Sequence, residues 1–256
     1  MAFGCKLMIT LEELNRIKEL KKTKLYYAEK EYLQHIFLNS ISKYPDKFLF
    51  KGGTCLKICF GLERASEDLD FSTTQNISEI KKIILSCLKN FELLNIPYKI
   101  YSEKEFKGNI RFEIRFKGLL FNGNSNSTNT LKLDFNKQKT INKEAKVIQK
   151  VFSDVPQFVI NVVSEKEILA EKIRALINTS EPKHLYDLWI LFNKGVEIDK
   201  GLIKQKLKQE KTEYKNLKYP SKKEYEIVLK NLVDFLPKYE QVIKEVSVKL
   251  KGVFGK

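Results

Sequence analysis

Lys51-Gly52-Gly53-Thr54, followed after thirteen intervening residues by Asp68-Leu69-Asp70-Phe71, is the stretch that decides how this chain reads. Phe48-Leu49-Phe50 just ahead of it is a short buried-strand pattern. The glycines turn the chain out of that strand, Thr54 through Phe60 suits a short helix, and Gly61 closes it. Asp68-Leu69-Asp70-Phe71 alternates with period two, so both carboxylates project from one face of a strand. Like charges placed that way repel. A hard divalent ion such as Mg²⁺ relieves the repulsion, because it takes carboxylate oxygens together with substrate phosphates. A glycine turn at a helix start presents backbone N–H groups, and the helix dipole favours a phosphate there. The two halves together describe a metal-bound phosphate site. The bland alternative for the two aspartates is a turn or a solvent-facing strand edge.

A third carboxylate would complete a two-metal arrangement for in-line phosphoryl chemistry, with one metal at the attacking hydroxyl and one at the triphosphate. Asp134, between Leu133 and Phe135, is the candidate. The outward face of a strand is normally polar, so Asp134 alone also fits a plain surface position.

Outward from this stretch the chain falls into three parts. Residues 1–47 form an N-terminal helical segment: roughly 10–44 carries Leu11, Leu14, Ile17, Leu25, Ala28, Tyr32 and Ile36 at helical spacing. Thr10 with Glu13 has the form of a capping box, and Tyr44-Pro45 ends the helix. Residues 48–163 alternate strands and helices. A helix is expected over 78–92, with Ile80, Ile83, Ile84, Cys87, Leu88 and Phe91 on one face. Ile110, Phe112, Ile114 and Phe116 alternate as a half-buried strand should. The Asn/Ser/Gly-rich run 122–129 reads as a loop that joins this strand to Leu131–Phe135 in a long hairpin, and Phe158–Val163 is another short apolar run. Residues 164–256 are helical and rich in lysine, with capping-box patterns at Ser164/Glu167 and Ser221/Glu224.

Among 256 residues, 47 are Lys or Arg and 32 Asp or Glu, a net charge of +15. From Lys200 onward fifteen lysines stand against seven acids, an excess of eight and so over half of that charge. Such a field favours polyanions. Only five of the basic residues are Arg, and a compositional bias towards lysine would write the same excess with no functional demand. Cys5, Cys55, Cys59 and Cys87 make neither a disulfide framework nor a paired C-x-x-C, so buried reduced thiols are expected. No apolar run reaches the ~18 residues of a membrane span, and Met1 to Thr10 lacks the features of a signal peptide. A cytoplasmic protein without a membrane partner is the expectation. A P-loop is excluded because the G-x-x-x-x-G-K-[ST] frame is missing, and a serine hydrolase because there is no G-x-S-x-G.

Gly52-Gly53-Thr54, Asp68-Leu69-Asp70-Phe71 and Leu133-Asp134-Phe135 resemble the glycine pair, acid–apolar–acid triplet and later acid of polymerase-β-like nucleotidyltransferases. Phe50 through Leu56, Gly61 and Arg64-x-Ser66-x-Asp68 resemble more closely the signature of the AbiEii/AbiGii toxin family of abortive-infection and toxin–antitoxin nucleotidyltransferases. Ala170-Glu171-Lys172-Ile173 and Leu185-Tyr186-Asp187-Leu188-Trp189 are similar to its later motifs, so the resemblance spans roughly 49–192. It implies an α+β fold: a nucleotidyltransferase core of mixed, mainly antiparallel sheet flanked by helices, with a C-terminal helical region. It also implies Asp68, Asp70 and Asp134 as ligands of Mg²⁺ or Mn²⁺. Gly52, Gly53 and Thr54 would hold phosphate oxygens, with Arg64 and Ser66 beside the metal. Lys172 would neutralise the departing pyrophosphate, and Asp187 would position Lys172 or the acceptor.

The residue types leave alternatives open: a structural ion pair for Arg64, a solvated helix lysine for Lys172, and a cap or a salt bridge to Arg174 for Asp187. Tyr186 and Trp189 fall on apolar spacing and read as core. His184 stands where the family usually carries an acid, and reads as a loop histidine. The implied activity is transfer of a nucleotide from an NTP, GTP among the candidates, to an acceptor such as tRNA or other RNA, with a cognate antitoxin as partner. The competing reading is a catalytically silent nucleic-acid-binding or interaction protein on the same scaffold.

Overall fold

Strand alternation sets the architecture. The computed structural model describes residues 8–137 and 142–255. Its elements in chain order are α1 (Leu11–Leu20), α2 (Leu25–Ile41), β1 (Phe48–Lys51), α3 (Gly52–Phe60), β2 (Asp68–Thr73), α4 (Ile77–Leu93), β3 (Tyr98–Phe106), β4 (Asn109–Phe116), β5 (Asn129–Lys137), β6 (Lys143–Ile148), β7 (Phe158–Val163), α5 (Glu165–Thr179), α6 (Pro182–Asn193), α7 (Lys200–Gln209), α8 (Lys222–Leu229) and α9 (Tyr239–Phe254). The strands form one sheet in the order β3-β4-β5-β2-β1-β7-β6. β2 runs parallel to β5 and β1 to β7, while β1/β2, β3/β4 and β4/β5 are antiparallel. The expected α+β fold, a mixed sheet with flanking helices, is what the chain adopts.

The chain divides into two units. The first runs to Cys59 and resumes from Glu67 to Val162; the second comprises Phe60–Ser66 and Val163 onward. In the first unit, one face of the sheet is aromatic. Phe71 and Phe135 stack at 5.1 Å between centroids, with Phe48, Phe50 and Phe112 around them. Phe37 of α2 reaches Phe71, and Phe91 of α4 lies 4.5 Å from Phe116. Side chains alternate along each strand, so the opposite face is left to Lys51, Asp68, Asp70, Asp134 and Arg111. In the second unit, α5 packs on α6 and α7, and α6 on α8 and α9. The Phe60–Ser66 segment is tied into it by Ala65 N–H donating to the Leu232 carbonyl at 2.7 Å.

The single helical stretch expected over 10–44 is two helices. α1 ends where Lys22 takes a left-handed φ of 46° and Thr23 N–H donates back to the Lys18 carbonyl, the closure typical of a helix C-terminus. Of the three expected capping boxes, Ser221/Glu224 is the one that forms with both hydrogen bonds. Thr10 and Ser164 do accept from the backbone of Glu13 and Glu167. The two glutamates, however, turn elsewhere, Glu13 to Ser153 and Glu167 to Lys206. The helix starting at Thr54 in the sequence reading begins at Gly52, directly off β1. Trp189, read as core, is half-buried and donates its indole N–H to Glu245, whereas Tyr186 is buried as expected. Cys55 and Cys87 are buried thiols, Cys59 is half-buried, and Cys5 lies outside the described residues. Among the described residues no helix is long and apolar enough to cross a membrane.

Candidate active site

In the first unit the site is built where β1 becomes α3. Lys51 is the last residue of the strand and Gly52 the first of the helix. Gly52 has φ +81°, and a Cβ added there would collide with the Asp70 carboxylate. Only glycine meets both demands. The N–H groups of the first helical turn thus lie beside an acid of β2. Gly53 is buried, and Thr54 is fully buried with its hydroxyl donating to the Asp68 carbonyl at 2.5 Å. Thr54 therefore ties α3 to the strand that carries the two aspartates.

Register places the acids side by side. Asp70 is opposite Asp134 on the parallel pair β2/β5, and Asp68 is opposite Lys132. Lys51 is opposite Asp70, Arg111 opposite Asp134, and Lys104 opposite Arg111. Across five strands the row reads Lys51, Asp70, Asp134, Arg111, Lys104, two acids bracketed by bases. Asp68 is exposed, Asp70 half-buried and Asp134 buried. The Arg111 Nε donates to Asp134 Oδ1 at 2.6 Å. That hydrogen bond, then the charges of Asp134, Asp68 and Asp70, raises the guanidinium's pKa further. Among the described residues no three His, Cys, Asp or Glu side chains converge as a ready metal cluster; Asp134 is turned to Arg111. By donor type the three carboxylates on one face fit a hard divalent cation.

The other expected site residues belong to the second unit. Ser66 is half-buried there. Arg64 clamps Asp187 bidentately, Nε to Oδ1 at 2.6 Å and Nη2 to Oδ2 at 2.8 Å. Lys172 Nζ lies 2.7 Å from the same Oδ2. Arg64 thus forms the structural ion pair that the sequence left open. Lys172 is buried rather than solvated, and Asp187 pairs with these two cations instead of Arg174, which meets Glu210. Burial alone would raise the Asp187 carboxyl, but the guanidinium and ammonium outweigh it and hold the group well below the usual range. A second buried set, Lys206 with Glu167 at 2.6 Å and Glu171 at 3.0 Å, links α7 to α5. It escaped the sequence reading, as did Arg111.

His184 is in the first turn of α6, not in a loop, and its Nδ1 is buried without a hydrogen-bond partner. Burial first, then the Lys172 ammonium, pushes its pKa down to about 3. Between that value and the unfolded one, the unfolded chain binds a proton that the native state refuses, so stability falls as pH drops below about 6.5. Urea unfolding at pH 7.5 and pH 5.0 is expected to show the wild type losing about 2 kcal/mol more than His184→Gln. Parallel losses in the two proteins would reject this.

The sheet, with a glycine-led helix beside two acid-bearing strands, is that of nucleotidyltransferase toxins. The structure is similar to MenT4, a nucleotidyltransferase toxin from Mycobacterium tuberculosis H37Rv, with a TM-score of 0.71 and 16% identity, over 94% of this chain and 89% of that one. It is also similar to JHP933 from Helicobacter pylori, with a TM-score of 0.61 and 21% identity, over 90% and 93%. A comparison with curated proteins found no match. The chain itself belongs to the AbiEii family, nucleotidyl transferase toxins of type IV toxin–antitoxin systems, which it matches over residues 36–246. The family resemblance drawn over roughly 49–192 is borne out, and family and fold together support an enzyme.

Proposed function

We propose that the chain is a metal-dependent nucleotidyltransferase that moves a nucleotide from an NTP, GTP among the candidates, to an RNA acceptor such as tRNA, in the cytoplasm. The observation that carries this reading is the adjacency of Asp70 and Asp134 beside the Gly52 start of α3. Asp68, Asp70 and Asp134 would hold Mg²⁺ or Mn²⁺. A divalent ion bound there supplies charge neutralisation for the triphosphate and a lowered pKa for the attacking hydroxyl. The backbone at Gly52 and Gly53 receives phosphate oxygens, since a helix start offers N–H donors. Lys172 is the cation assigned to the leaving pyrophosphate, and Asp187 is its positioning residue, fixing the ammonium by charge. The lysine excess after residue 200 suits RNA, because phosphate contacts give affinity without sequence preference. Membership of a toxin–antitoxin family points to a cognate antitoxin as partner.

The test is incubation with each of four labelled NTPs, total RNA and Mg²⁺. The wild type is expected to label RNA from at least one NTP, and Asp68→Ala to leave no label above background. Labelling that persists in Asp68→Ala rejects the mechanism. Binding of NTP and RNA without product at any divalent metal would favour the silent binding protein.

A further inference from the structure

Arg111 has no part in the chemistry just described, yet it holds one of its three acids. Its side chain is 53% exposed, while that of Asp134 is 8% exposed. A pair with one half-exposed partner is worth ~1 kcal/mol or less, so it closes the acid without locking it. The row makes the arrangement more specific. Asp70 and Asp134 are direct neighbours whose repulsion needs a counter-charge, and Arg111 supplies one from the adjoining strand. Lys51 and Lys104 extend the row on either side. Three bases against two acids leave a positive surplus along one line of the sheet. That surplus suits a polyphosphate, because a divalent cation already offset by two carboxylates leaves much of the phosphate charge unneutralised. A guanidinium also presents a planar fork that matches phosphate oxygens, which a lysine does not.

We propose that Arg111 is the resident counter-cation of the Asp70–Asp134 pair, giving up Asp134 when a divalent cation is taken and pairing instead with the triphosphate. This rests on the metal-dependent reading above. The Arg111 hydrogen bond takes up a lone pair of Asp134 Oδ1 and holds a positive charge against the acid, and both compete with a cation for that oxygen. Removing Arg111 therefore has opposite effects on two ligands. It frees Asp134 and takes a positive charge from the cation's surroundings, so the cation binds tighter. It also takes a partner from the phosphates, so the triphosphate binds more weakly. A merely structural Arg111 would not split the two.

The experiment is calorimetric titration of the full chain, wild type, Arg111→Gln and Arg111→Lys, with Mn²⁺ alone and then with inorganic triphosphate at saturating Mn²⁺. Arg111→Gln is expected to bind Mn²⁺ roughly tenfold tighter and triphosphate roughly tenfold more weakly than the wild type. Arg111→Lys keeps the charge and is expected to bind Mn²⁺ within about twofold of the wild type, with weakened triphosphate binding. Mn²⁺ affinity unchanged or reduced in Arg111→Gln, or raised equally in Arg111→Lys, overturns the proposal, as does triphosphate affinity unaffected by Arg111→Gln. Mn²⁺ binding absent from the wild type and Arg111→Gln alike overturns the metal reading beneath it. The two failures are therefore told apart.

Discussion

Asp70→Asn is expected to cut nucleotidyl transfer by a factor on the order of 10³ or more while the protein keeps its fold. The substitution preserves shape and removes one negative charge from the row in which Asp70 stands opposite Asp134. What it removes is an oxygen charge that a bound cation and a developing transition state exploit. A catalytic cation is worth several kcal/mol, and each 1.36 kcal/mol is tenfold in rate. Asp70 is half-buried beside a second acid, so losing its charge relieves repulsion. The carboxamide still fits against Gly52, where no Cβ stands in the way. Initial rates of labelled-NTP transfer and thermal melting of both proteins check this together. Transfer within tenfold of the wild type, with melting unchanged, would show that Asp70 is not part of the machinery.

How much of this could be read beforehand follows from what each signal depends on. Leu69, Phe71, Ile110, Phe112, Leu133 and Phe135 are all buried, and period-two alternation alone located their strands. The acids between them were placed on the opposite face by the same rule, and Asp68, Asp70 and Asp134 do share it. β3 and β6 were missed because they are the sheet's edges. Tyr98–Phe106 and Lys143–Ile148 carry lysines and glutamates, as exposed edges do, and no buried face marks them. Arg111 was out of reach for a related reason. Its place between Ile110 and Phe112 says which face it takes, but only register says that it meets Asp134. The break between α1 and α2 depends on Lys22 adopting a conformation that its side chain does not announce. Asp187 shows the limit most clearly. Residues 123 positions apart in sequence make the Arg64 pair, and a local pattern cannot choose between that partner and Arg174, which lies on the same chain segment as Lys172.

That pair carries the second large expectation: Asp187→Ala destabilises the protein by about 3–5 kcal/mol, the cost of leaving buried charge unpaired. The Asp187 side chain is wholly buried, and both Arg64 and Lys172 are nearly so. Truncation leaves two cations facing each other with nothing between them. Against a typical stability of ~5–15 kcal/mol, this is enough to lower the folded fraction markedly at 37 °C. The pH dependence has a definite sign. The native carboxyl sits below its unfolded value near 3.8, so its contribution is complete above that value and fades only as pH falls through the native one. The deficit of Asp187→Ala is therefore constant from pH 6 to 8 and shrinks in strong acid. Arg64→Met in the same background separates packing from charge. If repulsion between the stranded cations is the cause, the double variant Arg64→Met/Asp187→Ala recovers part of the loss, and urea midpoints measured as a double-mutant cycle reveal the coupling. Strictly additive losses would mean that the guanidinium and carboxylate contribute independently. Asp187 would then have to be reassigned from fixing Arg64 and Lys172 to a role of its own.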